Sequence, residues 1–561
     1  MARRMASVLL VLALVSAASR SPRAQGQGEL GTIDFPTSGS AAAQPAFLKG
    51  VLLMHSFEYD DAKEAFQEAQ KADPTFAMAY WGEAMTYNHA VWQQTAPDLA
   101  KTALARLAPT SEGRIAKAPT PKEKDWLASL DSLYGPGEKL ARDLAYAEAM
   151  KRMHEKYPAD DEVTSFYALA LLGTSHNGRD FAIYMRAAAL VEQVYAKNPN
   201  HPGAAHYLIH SYDDPIHAPL GLRYADAYSR IAPAASHALH MPSHVYFALG
   251  MWDEASAINE RSVKAADARV AAKKLAVDDR GFHAMLWLVY GYAQQGRYDE
   301  AKGILTQIEA DAAKSGSVRT RSHLALARAA YVIETRRWPE AKTAVNAKGL
   351  GDVAASADLF AIGFAALKTG NRLGAQNALQ AMAVIAAANE TPLPDALHAA
   401  HGAQPVGTAR VQPQTGLPSA GGGADKKVSA VMAQQLEAAL LFTEGRREEA
   451  LVLARQASVV EDGLSFEFGP PVPVKPAHEL AGEMLMDLRR PKEAMEEFQA
   501  SLKRAPKRAL SLLGLARAAT AARDTATARK AYGELREVWK KADKTLPELR
   551  ELSAAPTSSS R

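Results

Sequence analysis

The sequence predicts an all-α protein built as a solenoid of helical hairpins. Three observations carry that expectation. Residues recur at a spacing of 34, as in His206 and His240, His210 and His244, and Pro199 and Pro233. Such a period is that of a helix–turn–helix unit in an array whose units bury their apolar faces against one another. Apolar residues fall at helical periods through most of the chain, and no stretch reads as a strand. A turn motif also recurs, as Gly250-Met251-Trp252-Asp253-Glu254-Ala255, Gly296-Arg297-Tyr298-Asp299-Glu300-Ala301 and Trp338-Pro339-Glu340-Ala341. Its aromatic and alanine pack the turn, and its acidic residues begin the second helix, where the helix dipole favours them.

Composition narrows the function classes. The 561 residues are 48% apolar and 23% charged, ordinary values for a soluble protein. A formal net charge of +3, without a basic block, argues against nucleic acid as a partner. The absence of cysteine excludes disulfides, thiolate nucleophiles and cysteine-ligated metals, so any metal site must use histidine, carboxylate or backbone oxygen.

Taken in order, the chain opens with Arg3 and Arg4 ahead of the apolar run Ala6–Ala18, with small residues at Ser16, Ala18 and Ala24. This is the layout of a secretory signal peptide over 1–24, too short to span a membrane comfortably. Cleavage after Ala18 would remove two arginines and take the charge from +3 to +1. A periplasmic or secreted protein is expected, with no stable membrane span after cleavage. Repeats are expected over 43–390. The first, at about 43–76, ends in YDDAKEAFQEAQKADP, where Tyr59, Ala62, Phe66 and Ala69 form an apolar stripe stopped by Pro74. The frame loosens over 108–160 and resumes in pairs at about 161–199, 202–233, 236–267, 282–311, 322–349 and 356–388. Residues 391–427 are rich in proline and glycine and read as a linker or surface loop, with His398 and His401 inside it. Three more pairs are expected over 428–545, and a disordered tail over 546–561.

The stripe at 59–74 and some ten units in register resemble the tetratricopeptide repeat family. The resemblance implies a right-handed superhelix whose first helices line a concave groove. AMAYWG (Ala77–Gly82), HPGAAHYLIH (His201–His210) and HMPSH (His240–His244) also resemble motifs of secreted bacterial proteins of that family. That narrower likeness implies the fold and export but no activity.

Seven of the sixteen histidines lie between His201 and His244, namely His201, His206, His210, His217, His237, His240 and His244. With Ser236 as first place of its unit, His237, His240 and His244 take the second, fifth and ninth places. His206 and His210 take the fifth and ninth of the unit before. Spacings of three, four and seven share one helix face, and neighbouring first helices pack roughly 8–10 Å apart. Imidazoles from both could meet. His283 and His323 again fall at second places, and His55 and His89 share a place 34 apart.

Three readings stand open. In one, His206, His210, His240 and His244, with His237, hold zinc or copper, helped by Asp213 or Asp214. In another, these residues with His55, His89, His283, His323 and Tyr290 line a groove for a protein or peptide. In the third they pack structurally. HYLIH has Tyr207 where a zinc hydrolase motif carries its glutamate base, and HMPSH has Met241 there. No catalytic residue is therefore assigned, although Tyr207, Tyr212, Asp213 and Asp214 would be the groups to examine beside a metal-bound water. The preferred expectation is an exported, noncatalytic binding scaffold; the alternative is a metal-binding or metal-dependent protein.

Overall fold

The computed structural model describes residues 27–341, 343–388 and 422–555. The expected signal peptide, most of the expected linker with His398 and His401, and the last six residues lie outside them. The described residues form antiparallel helical hairpins in sequence order, beginning with Gln44–His55 and Tyr59–Ala72 and ending with Ala509–Ala521 and Thr525–Val538. No helix among them is long and apolar enough to cross a membrane.

One packing device recurs at both ends of the array. Phe66, on the second helix of its hairpin, sits between Gly50 on its own first helix and Gly82 on the next, Ala77–Met85; a methyl on either glycine would overlap the ring. Phe498 sits between Gly482 and Gly514 in the same way. The 16-residue steps on each side put glycine, phenylalanine and glycine at matching places in the repeat. A large ring against two bare backbones fills the hairpin at the close density of a protein core.

The structure departs from the expected elements at four places. A two-residue antiparallel ladder pairs Asn88 with Thr95 and His89 with Gln94 around a short helical turn, Ala90–Trp92. The unit at 322–349 keeps its first helix, Val318–Thr335, but its second shrinks to the turn Trp338–Glu340. There Arg328 donates to the Thr343 carbonyl at 3.0 Å, and Val345 N–H donates to Asp358 Oδ2 at 2.8 Å, so side chains satisfy backbone groups that a helix would otherwise pair. The helix Gly422–Thr443 starts inside the stretch expected as linker, and Glu548–Ala554 is helical where a disordered tail was expected.

The array does not stay open. The first hairpin meets the helix Pro202–Tyr212 directly, because Gly203 leaves no side chain between that backbone and the His55 ring. The C-terminal hairpins fold back on the middle of the chain. Trp252 Nε1–H donates to the Lys507 carbonyl at 3.1 Å, and Trp539 Nε1–H to the Gln294 carbonyl at 3.0 Å. Arg508, fully buried, donates from Nε to Glu479 at 2.7 Å, and from Nη1 to Tyr290 Oη at 3.2 Å and to Glu334. A proline-rich segment, 465–476, runs through this junction, and Gly469, with φ of +97°, places bare backbone on the Trp287 indole.

The junction depends on one guanidinium facing two carboxylates out of water. Arg508→Ala would leave Glu334 without its cation, while Glu479 keeps Lys475 at 2.9 Å, and is expected to cost about 3 kcal/mol, measured by urea denaturation, with faster proteolysis of the C-terminal hairpins.

Candidate metal centre

The histidines of the two marked units lie on consecutive first helices. His206 and His210 are on Pro202–Tyr212, His237 and His240 on Ser236–His240, His244 on Pro242–Ala248, and His283 opens Phe282–Gln294. Pro242 is the first residue of its short helix, and Met241 before it keeps helical angles (φ −53°, ψ −37°), so His240 and His244 still share a face.

The four residues expected to form one site divide between two histidine groups, with His210 and His244 also meeting at Asp213. His206, His210 and His237 bring one ring nitrogen each within 4.8 Å of one another, and so do His240, His244 and His283. Each group takes the fifth- and ninth-place histidines of one unit and the second-place histidine of the next. One arrangement is thus repeated by the period of the array. Sequence reasoning identified His237 as a fifth member and His283 only as a groove residue. Their shared second place was the available signal, but the stagger that brings it beside the preceding doublet is a tertiary fact.

Hydrogen bonding fixes which nitrogens are free. His206 Nδ1–H donates to the His55 carbonyl at 2.7 Å, which leaves Nε2 as the lone-pair nitrogen. His240 Nδ1–H donates to Asn259 Oδ1 at 2.6 Å; that amide is oriented by its own Nδ2 donating to the Ala255 carbonyl at 2.8 Å. His244 Nδ1–H donates to Asp213 Oδ2 at 2.8 Å, and His210 Nδ1 lies 3.4 Å from the same oxygen. In the first group the Nε2 atoms of His206, His210 and His237 are all buried without a hydrogen-bond partner. In the second, His240 Nε2 and His244 Nε2 face each other at 3.2 Å, and His283 Nδ1 is buried and unpaired. With both Nδ1 protons committed, two lone pairs point at one another. Tetrahedral ligands at 2.0–2.1 Å from zinc stand about 3.3 Å apart.

Burial pushes the imidazoles of His206, His237, His240 and His283 far below their ordinary value, and that of His244 down to about 4. Neutral imidazole is the form that ligates metal. Asp213 joins the two groups. Burial alone would raise its pKa, but the Arg179 guanidinium, with both imidazoles, holds it below the usual carboxylate range. Arg179 in turn donates to the His210 carbonyl at 3.2 Å, and its backbone N–H donates to Ser465 Oγ at 2.7 Å. Phe468 of the proline-rich segment stacks on His244 with ring centroids 4.6 Å apart and closes the inner side of the centre.

The outer side opens. His237, His240 and His283 line a cleft walled by Phe57, Tyr59 and Trp92. Of the other residues expected along a groove, His89 also lines this cleft, whereas His55, His323 and Tyr290 do not and are each at most 2% exposed. The closed winding is the reason, since first helices from distant units meet where an open superhelix would leave a channel. Tyr212 bonds Glu192 at 3.0 Å, and Asp214 is paired with His217 at 2.9 Å, both away from the two groups.

A third cluster has metal-like composition but no free nitrogen. His55 and His201 direct Nε2 to opposite oxygens of Glu162 at 2.8 and 3.1 Å. His55 Nδ1 meets Tyr207 Oη at 2.8 Å, and His201 Nδ1 accepts from Ala204 N–H at 3.1 Å. Every ring nitrogen is used, which marks a structural triad.

The fold defines a class, an all-α helical solenoid of tetratricopeptide type. Residues 43–76 match the family model described as Tetratricopeptide repeat. Among solved structures, the APC/C hetero-tetramer Cut9-Hcn1 is 12% identical, with 94% of this chain and 79% of that one covered and a TM-score of 0.32. Human IFIT1, as a dimer with m7Gppp-AAAA, is 13% identical over 91% of this chain and 92% of its own, with a TM-score of 0.34. Yeast Tom70 is 12% identical over 91% and 95%, with a TM-score of 0.28. Likenesses this distant carry no argument about what the chain binds. No curated protein matches it.

The three clusters respond differently to substitution. Glu162→Gln replaces one of the two acceptor oxygens with an NH2 donor, leaves one buried imidazole facing it, and is expected to cost about 2–3 kcal/mol of stability in thermal or urea unfolding. Metal content, read by elemental analysis, should be unchanged.

Proposed function

We propose that the chain is a tetratricopeptide-type scaffold that holds two transition-metal ions, one on His206, His210 and His237 and one on His240, His244 and His283. The observation that carries this reading is the orientation of the rings. On His206, His240 and His244 an Nδ1–H committed to oxygen leaves Nε2 as a lone pair facing its neighbours, and His210, His237 and His283 each bury a ring nitrogen without a hydrogen-bond partner. A buried polar atom left unpaired costs free energy, and in both groups the cost falls on the same places of the repeat. All-histidine ligation suits zinc or copper. Three protein ligands with a fourth position toward a cleft is the pattern of a site that also takes an exogenous ligand. Asp213, bonded to one ligand of each group, orients both and would raise their basicity.

The expected four-histidine site is replaced in this reading by two triads, and Asp213 becomes a positioning residue rather than a ligand. The cleft also carries the aromatic rings of Phe57, Tyr59 and Trp92 beside the histidines, which supports a second role as the place where a protein or peptide partner docks on the scaffold.

Purified protein is expected to carry two equivalents of zinc or copper, removed by chelator. His210→Ala with His244→Ala takes one ligand from each group and should abolish both; His206→Ala with His237→Ala should remove one only. Adding metal to 100 times its Kd should stabilise the stripped protein by about 2.7 kcal/mol. Metal-free protein whose unfolding ignores added zinc and copper would sink the proposal.

Export to the periplasm or beyond belongs to the same reading and rests on residues 1–24. Mature protein from a periplasmic extract should begin after Ala18 or Ala24 by N-terminal sequencing; a cytoplasmic protein starting at Met1 would contradict it.

A further inference from the structure

Among the described residues, one cation of the cleft forms no ion pair. Arg269 pairs with Asp61 at 2.9 Å, and Arg280 with Asp267 at 2.7 Å and with Asp311. Lys63 pairs with Asp60 at 3.0 Å. Arg319, in the first turn of Val318–Thr335, forms no ion pair among the described residues. Its Nη1 donates to the backbone carbonyl of Asp278 at 2.6 Å, and its Nε is sealed from water without a partner. The carboxylates of Asp278, Asp279 and Asp60 act on it electrostatically, and Asp278 is engaged by Ser317 Oγ at 2.9 Å. Burial pulls the guanidinium down to about 10, so it stays charged at neutral pH.

A guanidinium in this state has one edge spoken for and another unmet. The Nη1 side is fixed on the carbonyl, and the Nε–Nη2 edge is the fork that takes a carboxylate with two parallel hydrogen bonds. Arg319 lines the same cleft as His237, His240 and His283, and aromatic rings of Phe57, Tyr59 and Trp92 complete the walls. Its charge bears on His283, the second-place member of the outer triad.

We propose that the cleft binds a carboxylate ligand carrying an aromatic or apolar body, with the carboxylate held two-pronged by Arg319 beside the metal position of His240, His244 and His283. The position beside a metal rests on the function proposed above; the carboxylate subsite itself does not. A free small acid and the C-terminus of a peptide offer the same group, and both fit this chemistry.

The test uses the whole mature protein and calorimetric titration with benzoylglycine, benzoylglycinamide, and a hexapeptide ending in phenylalanine with its C-terminus free or amidated. The acids should bind and the amides should not, and the better of the two acids identifies the source. Arg319→Gln should weaken the acid at least tenfold, and Arg319→Lys, which keeps the charge but loses the fork, should weaken it less. Neither should change metal content, so loss of ligand binding is separable from failure of the metal reading, which shows as absent metal in the unsubstituted protein. Arg319→Gln should also unfold at the same temperature as the parent or higher, because it removes a charge without a partner; an arginine kept for the fold would lower it. Equal binding of acid and amide, acid binding unaffected by Arg319→Gln, or no binding at all overturns the proposal.

Discussion

The close approach of first helices from distant hairpins is the constraint on which the rest of this structure depends. Gly203 lets the backbone of Pro202–Tyr212 meet the end of Gln44–His55 without an intervening side chain. That contact puts the His55 carbonyl where His206 needs an acceptor, and it encloses what would otherwise be the wall of an open channel. The C-terminal hairpins complete the enclosure through Arg508 and the proline-rich segment, whose Phe468 lies on His244. A solenoid grows by nearest-neighbour contacts. Here contacts between units far apart in sequence turn it into a closed body with an interior.

An enclosed imidazole must account for both ring nitrogens, and the histidine clusters do so in two ways. In the Glu162 cluster each nitrogen has its partner, and the carboxylate binds two rings at once. In the two repeated triads one nitrogen of each oriented ring is fixed on oxygen and the other left facing its neighbours. The composition of the clusters is similar; the difference lies in where acceptors stand. Asp213 supplies acceptors to both triads and draws its own charge balance from Arg179, so a single carboxylate ties the two groups to the segment that closes the centre. Arg319 presents the same problem with the opposite sign of charge. Its neighbours Arg269 and Arg280 show how readily this wall supplies carboxylates, which makes the lack of an ion pair at Arg319 among the described residues informative. Sites kept for a ligand commonly carry such a local cost in stability.

Much of this was legible in the chain itself. The 34-residue period, the alanine-rich stripes and the recurrent turn motif specify helical hairpins and place the histidines on first helices, because local periodicity is a property of neighbouring residues. The same frame puts His237 and His283 at one place in successive units. It does not give the stagger between helices, so the sequence suggests a single site of two doublets where the structure forms two triads. Nor does it foresee the shortened unit after Thr335, where Arg328 and Asp358 capture backbone that a proline-bearing turn motif would lead into a helix.

By itself the sequence determined the class of fold, the repeat frame and the identity of the candidate ligands, since those follow from spacing and from the absence of cysteine. Only the tertiary structure decided which histidines are satisfied and which converge, that the expected groove is interior at His55, His323 and Tyr290, and that Arg319 forms no ion pair among the described residues. They depend on groups from different repeat units, some brought together across about 150 residues, as His206 and His55 are. No local pattern encodes such distances; packing and the need to pair buried polar atoms do.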